Sequence, residues 1–168
     1  MRLCEKNQEH KGLMSDQPHV MIVESRFYED IANELVSSAV TEIEAVGATY
    51  ERFEVLGAFE IPAAIRFAIQ SMTMYSAARR RFDGYIGLGC VIRGETTHYD
   101  YVCQESARAL QELTLQYSLA MGYGILTTEN RDQAMARARR DEQDRGGHAA
   151  RACLRMVELK RHFRLFPR

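Results

Sequence analysis

The hydrophobic and polar positions change period several times along the chain, and each change marks an element. His19-Val20-Met21-Ile22-Val23-Glu24 is a short run rich in β-branched residues, entered through Pro18, and reads as a buried strand. Over residues 29–46 the period becomes helical, with Ile31, Leu35, Ala39, Ile43 and Val46 on one stripe, and Gly47 closes that helix. Thr49 to Leu56 alternates apolar with polar and reads as a second strand. Gly57 to Ile61 reads as a turn, and Pro62 opens a helix continued by Ile65, Phe67, Ala68, Ile69 and Met72. After a polar link from Ser76 to Asp83, Gly84 to Ile92 is a third strand, apolar on both faces. A long helix over 97–118, a fourth strand from Met121 to Thr127 and helices over 130–140 and 147–162 follow, with Gly146-Gly147 at the last break.

Strands that are apolar on both faces and alternate with helices build a parallel sheet covered on both sides. Right-handed crossovers make it an α/β, three-layer, flavodoxin-like doubly wound sheet of four parallel strands. The expected organisation is a flexible tail over 1–17 and a single domain over 18–168. In such sheets ligands sit beyond the carboxyl ends of the strands, here residues 25–28, 57–61, 90–98 and 127–130.

Charge narrows the classes. Lys plus Arg is 22 and Asp plus Glu is 23, a net charge of −1, which argues against a generally basic nucleic-acid binder. Arg79-Arg80-Arg81 is a solvated loop or a local phosphate or nucleic-acid patch. No apolar run approaches the roughly 18 residues of a membrane span, and the polar N-terminus does not read as a secretory signal. Cys4, Cys90, Cys103 and Cys153 form no C-x-x-C pair. They read as free thiols in a reducing cytoplasm, with neither a disulfide framework nor a metal site.

Familiar motifs fail. Gly87-Leu88-Gly89 is followed by Ile92 where a dinucleotide fingerprint needs glycine, and neither a phosphate-binding Walker loop nor a G-x-S-x-G elbow exists. What remains is the segment Arg93-Gly94-Glu95-Thr96-Thr97-His98 at the third strand's end. Thr96 and Thr97 can cap the next helix or offer hydroxyls to an anion, which helix-start N–H groups favour. His98 is then either a base beside that anion or a surface histidine. Glu60 either accepts from polyol hydroxyls or serves the helix dipole. Phe27 either stacks on a flat ring or belongs to the core.

Taken together, Gly57-Ala58-Phe59-Glu60-Ile61-Pro62, Gly89 through Asp100, Gly124-Ile125-Leu126-Thr127-Thr128, Gln133-Ala134 and Arg137-Ala138 resemble, in order and spacing, the 6,7-dimethyl-8-ribityllumazine synthases. The resemblance implies condensation of 5-amino-6-ribitylaminouracil with 3,4-dihydroxy-2-butanone 4-phosphate, releasing phosphate, with no cofactor and no metal. It also implies roles. Phe27 would stack on the pyrimidine, and Ala58, Phe59 and Glu60 would hold the ribityl chain. Cys90, Val91 and Ile92 would meet the pyrimidine through backbone groups. Glu95 and Thr96 would cradle the phosphate, with His98 as proton shuttle. Tyr123 would reach a neighbouring subunit's site, where Arg137 would pair with the phosphate; Arg145 stands where the family has a lysine.

The chain departs from the family in having Phe27-Tyr28 for the common Phe-Asn, and Ala120 and Tyr123 for a common Pro and Phe. The Gly-x-Lys-x-Gly stretch that shell-forming members keep is replaced by Arg139-Arg140-Asp141-Glu142-Gln143-Asp144. Crowded charge there should resist burial between rings. The expectation is therefore a cytoplasmic homopentamer acting on small molecules at shared sites. The alternatives are a non-catalytic flavin or lumazine carrier and a purely structural shell protein.

Overall fold

The computed structural model describes residues 17–74 and 82–165, with only the backbone of 72–74. The expected tail, save its last residue, and Arg79-Arg80-Arg81 lie outside the described residues. The elements are β1 His19–Ser25, α1 Glu29–Ala45, β2 Thr49–Val55, a 3₁₀ turn Ala58–Glu60, α2 Ile61–Met74, β3 Gly84–Ile92, α3 His98–Tyr117, β4 Met121–Thr128, α4 Arg131–Ala138 and α5 Arg145–His162. The strands form a single four-stranded parallel sheet in the order β2-β1-β3-β4. The chain winds outward in both directions from β1 and β3, so the cleft between their carboxyl ends is the topological switch point.

Alternation along the strands divides the core in two. Ile22, Ile86 and Leu88 face the apolar stripes of α1, α4 and α5, where Leu35, Ala39, Ala134, Ala149 and Cys153 are buried. Val23, Tyr85 and Ile125 face α2 and α3 through Ile61, Ile65, Val102 and Leu110. The three-layer flavodoxin-like arrangement read from the sequence is thus the one observed.

The local differences have physical causes. Val46 lies past the end of α1 as its C-cap and is exposed, since Gly47 at φ +71° turns the chain away there. Phe67 lies on the outer side of α2 and is exposed. The 57–61 turn winds into a 3₁₀ turn that runs straight into α2, so Ile61 is the first residue of that helix and Pro62 the second. β4 gains Thr128, because the Arg93 N–H donates to the Thr128 carbonyl at 2.9 Å.

The break between the last helices is not at Gly146-Gly147. It is the Arg139–Asp144 segment, and both glycines are buried in the first turn of α5. Asp144 adopts φ 48° and accepts from the Gly147 N–H at 3.2 Å, an N-cap that starts the helix before the glycines. Several charges in and around this segment are paired. Arg139 approaches Glu142 at 3.5 Å and Arg140 approaches Glu42 at 3.4 Å. Arg151 bridges Glu42 at 3.1 Å and Asp144 at 2.9 Å.

Candidate active site

The segments that leave β1, β2 and β3 at their carboxyl ends enclose a cleft of about 430 Å³. Phe27 and Tyr28 come from the β1–α1 loop, Leu56 to Glu60 from the 3₁₀ segment, Cys90 to Ile92 from the end of β3, and His98 and Val102 from α3. Phe27 is 71% exposed, which settles that its ring is a cleft wall and not core. Tyr28 meets it edge-on, with ring centroids 4.9 Å apart and planes at 73°. Ala58 is buried, whereas Phe59 and Glu60 are exposed toward solvent.

His98 is the first residue of α3, so its imidazole projects from the helix's first turn. Among the described residues its ring has no hydrogen-bond partner, which leaves both nitrogens for a ligand. The helix start is built differently from the expectation. Thr97 occupies the N-cap position but in helical conformation, at φ −72° and ψ −1°, and its side chain makes no cap bond. Thr96 Oγ1 accepts instead from the His98 N–H, at 3.4 Å. Arg93 anchors the connecting segment from outside: Nε donates to Glu129 at 2.9 Å, Nη1 donates to Asp100 at 3.1 Å, and the guanidinium lies 4.1 Å over the Tyr99 ring.

Cys90 is buried beneath the cleft, and burial pushes its thiol up to about 11. It is therefore a neutral, apolar wall near neutral pH and not a nucleophile. Among the described residues no cluster of His, Cys, Asp or Glu is arranged to hold a metal ion, and no helix is long and apolar enough to cross a membrane.

An apolar cleft at the switch point, an aromatic wall, a carboxylate and an unpartnered imidazole define the site's chemistry, and sequence comparison defines its lineage. Residues 17–161 match the model of the family described as 6,7-dimethyl-8-ribityllumazine synthase. The chain belongs to that family. It is similar to the 6,7-dimethyl-8-ribityllumazine synthase 1 of Rhizobium meliloti, 54% identical over 142 residues that cover 84% of this chain and 91% of the relative. The synthase of Bartonella tribocorum is 49% identical over 150 residues, covering 89% and 95%. That of Agrobacterium fabrum is 50% identical over 145 residues, covering 86% and 96%.

Of the residues that the lumazine synthase resemblance implicates, Phe27, Ala58, Phe59, Glu60, Cys90, Val91, Ile92 and His98 come together around the cleft. Glu95 and Thr96 lie in the exposed segment between Ile92 and His98 without lining the cleft. Tyr123, on β4, Arg137, on α4, and Arg145, the first residue of α5, do not line it either. Arg137 Nη1 donates to the Gln133 carbonyl at 3.0 Å, within its own helix. Tyr28, Leu56, Gly57 and Val102 are wall residues that the sequence-based assignment of roles does not include. Val102 was legible, since it stands one helical turn beyond His98 on the same side of α3. Leu56 was not, because an apolar residue at a strand's end looks like the last residue of that strand.

Proposed function

We propose that the chain catalyses the lumazine synthase condensation, joining 5-amino-6-ribitylaminouracil to 3,4-dihydroxy-2-butanone 4-phosphate and releasing phosphate. It is a transferase of the riboflavin biosynthetic family. The observation that carries this reading is the convergence of the Phe27 wall, Glu60 and the unpartnered His98 on one cleft at the switch point. In the reaction an aryl amine adds to a ketone and loses water to form an imine. A proton is then lost from the hydroxyl-bearing carbon as phosphate leaves its neighbour, the enol so formed ketonises, and the second amine closes the ring on this new carbonyl with loss of water. Each step is proton movement plus positioning, which a single imidazole and a held phosphate can serve.

On this reading Phe27 stacks on the pyrimidine, and Ala58, Phe59 and Glu60 take the ribityl chain. Cys90, Val91 and Ile92 present backbone groups to the ring, Glu95 and Thr96 hold the phosphate through their N–H groups, and His98 shuttles protons. Tyr123, Arg137 and Arg145 do not line the cleft of their own chain, so on this reading the part they take is in a neighbouring subunit's site. That placement supports a homo-oligomer with shared sites, a pentameric ring by the family resemblance, working in the cytoplasm. Mixing both substrates with the protein and following lumazine absorbance against phosphate release tests the reading. Stoichiometric appearance of both products is expected; binding of lumazine without turnover would favour a carrier.

A further inference from the structure

Glu24 lies on β1 among Val20, Ile22 and Val23, yet it is a carboxylate with 0% exposure. Arg52 Nε of the neighbouring strand β2 donates to Glu24 Oε1 at 2.7 Å, and Arg26 Nη1 donates to Oε2 at 3.2 Å. The side chains of Arg52 and Arg26 are 41% and 25% exposed, so the cations reach water while the anion does not. Stability alone is a weak reason for this arrangement. A buried ion pair seldom outperforms a well-packed apolar residue, and Val20 and Ile22, on the same face of β1, are apolar.

The location supplies another reason. Arg26 is the first residue after β1, and the next two residues are the Phe27 and Tyr28 of the cleft wall. The Arg26 N–H also donates to the Val55 carbonyl at the end of β2, at 3.3 Å. Glu24 therefore ties the chain leaving β1 to the strand whose own exit carries Ala58, Phe59 and Glu60. We propose that Glu24 is a positioning residue: through Arg26 and Arg52 it sets the Phe27–Tyr28 wall at a fixed distance from the 3₁₀ segment across the cleft, and so sets affinity for the flat, polyol-bearing substrate.

The proposal rests on the substrate reading above, and its test separates the two. Glu24→Gln and Arg26→Met are each expected to raise KM for the ribitylaminouracil about 10-fold, leaving KM for the butanone phosphate within about twofold. The double variant should be no worse than either single one, because the three groups act as a unit. The sequence holds no tryptophan, so Phe27→Trp supplies a single fluorescent reporter. Its anisotropy decay should acquire a fast component in the Glu24→Gln background, whether or not the protein turns substrate over. A loosened reporter in a protein without synthase activity would sink the substrate reading alone. An unchanged reporter in Glu24→Gln would overturn the positioning role. Equal rises in both KM values with a falling Tm, or multiplicative effects in the double variant, would overturn it too.

Discussion

The proposed reaction assigns its proton chemistry to His98, and the residue's environment makes the test clean. The ring lines the cleft and takes no hydrogen-bond partner among the described residues, so its removal breaks no internal hydrogen bond. His98→Ala should lower kcat by roughly 10²- to 10⁴-fold, the usual span for general acid–base catalysis. Pyrimidine affinity and Tm should stay close to wild type. Turnover at the wild-type rate would remove His98 from the mechanism. The buried thiols act on stability instead. Burial pushes Cys90 up to about 11 and Cys153 up to about 12, from an ordinary thiol value of 9.0. Above pH 9 the unfolded chain loses these protons while the folded chain keeps them, so unfolding releases protons and stability falls. Below pH 9 both states are protonated and the contribution is constant. Urea denaturation at a series of pH values from about 8 to about 11 should show that decline, and Cys153→Ala should flatten it.

At the scale of elements, the start of α5 shows how a glycine pair can sit inside a helix. A Cβ on Gly146 would collide with the backbone carbonyl of Leu35 in α1. Gly146 thus permits close approach of two helices, and Gly147 leaves room for the Asp144 carboxylate that caps its own helix, so the pair does not end one. The left-handed Asp144 then caps the helix, and Arg151 secures it through Asp144 and Glu42. Gly146→Ala should cost about 1–3 kcal/mol, the range for overpacking a close contact, read as a lower urea midpoint at unchanged m-value. A midpoint equal to wild type would show that α1 and α5 part freely.

For the whole molecule, the feature that bears on assembly is that Tyr123, Arg137 and Arg145 do not line the cleft of their own chain. A pentamer of about five times 19.2 kDa is expected by light scattering near neutral pH, since a ring closes by rotation through repeated heterologous contacts. A particle in the megadalton range would defeat that expectation. Sharing of sites has its own test. His98→Ala and Arg137→Ala subunits, each weak alone, should regain activity when unfolded and refolded together, because some mixed interfaces then join an intact His98 to an intact Arg137. No recovery in verified mixed oligomers would mean that each cleft works with its own chain's residues.

The order of strands and helices, the covering of the sheet on both faces and three of the four expected strand-end segments were legible in the sequence; the fourth, 127–130 after β4, does not line the cleft. Each depends on local period: the stripe Ile31, Leu35, Ala39, Ile43 and the unbroken Gly84 to Ile92 run have one solution apiece in a covered parallel sheet. Phe27, Glu60 and His98 could be selected for the same reason, since they follow strands at the end where such sheets bind ligands. Their alternatives could not be decided locally. Whether Phe27 was wall or core depended on how β1 and β3 diverge at the switch point, a contact between residues far apart in the chain. The Glu24–Arg26–Arg52 triad was hidden likewise, because it needs the register that sets β1 beside β2. Gly146-Gly147 looked like a helix break because glycine is unfavourable within an isolated helix. Only the approach of α1 shows that an absent side chain is what the position requires. Period is written along the chain, whereas burial of a charge or close contact between backbones is decided by what the folded chain brings opposite it.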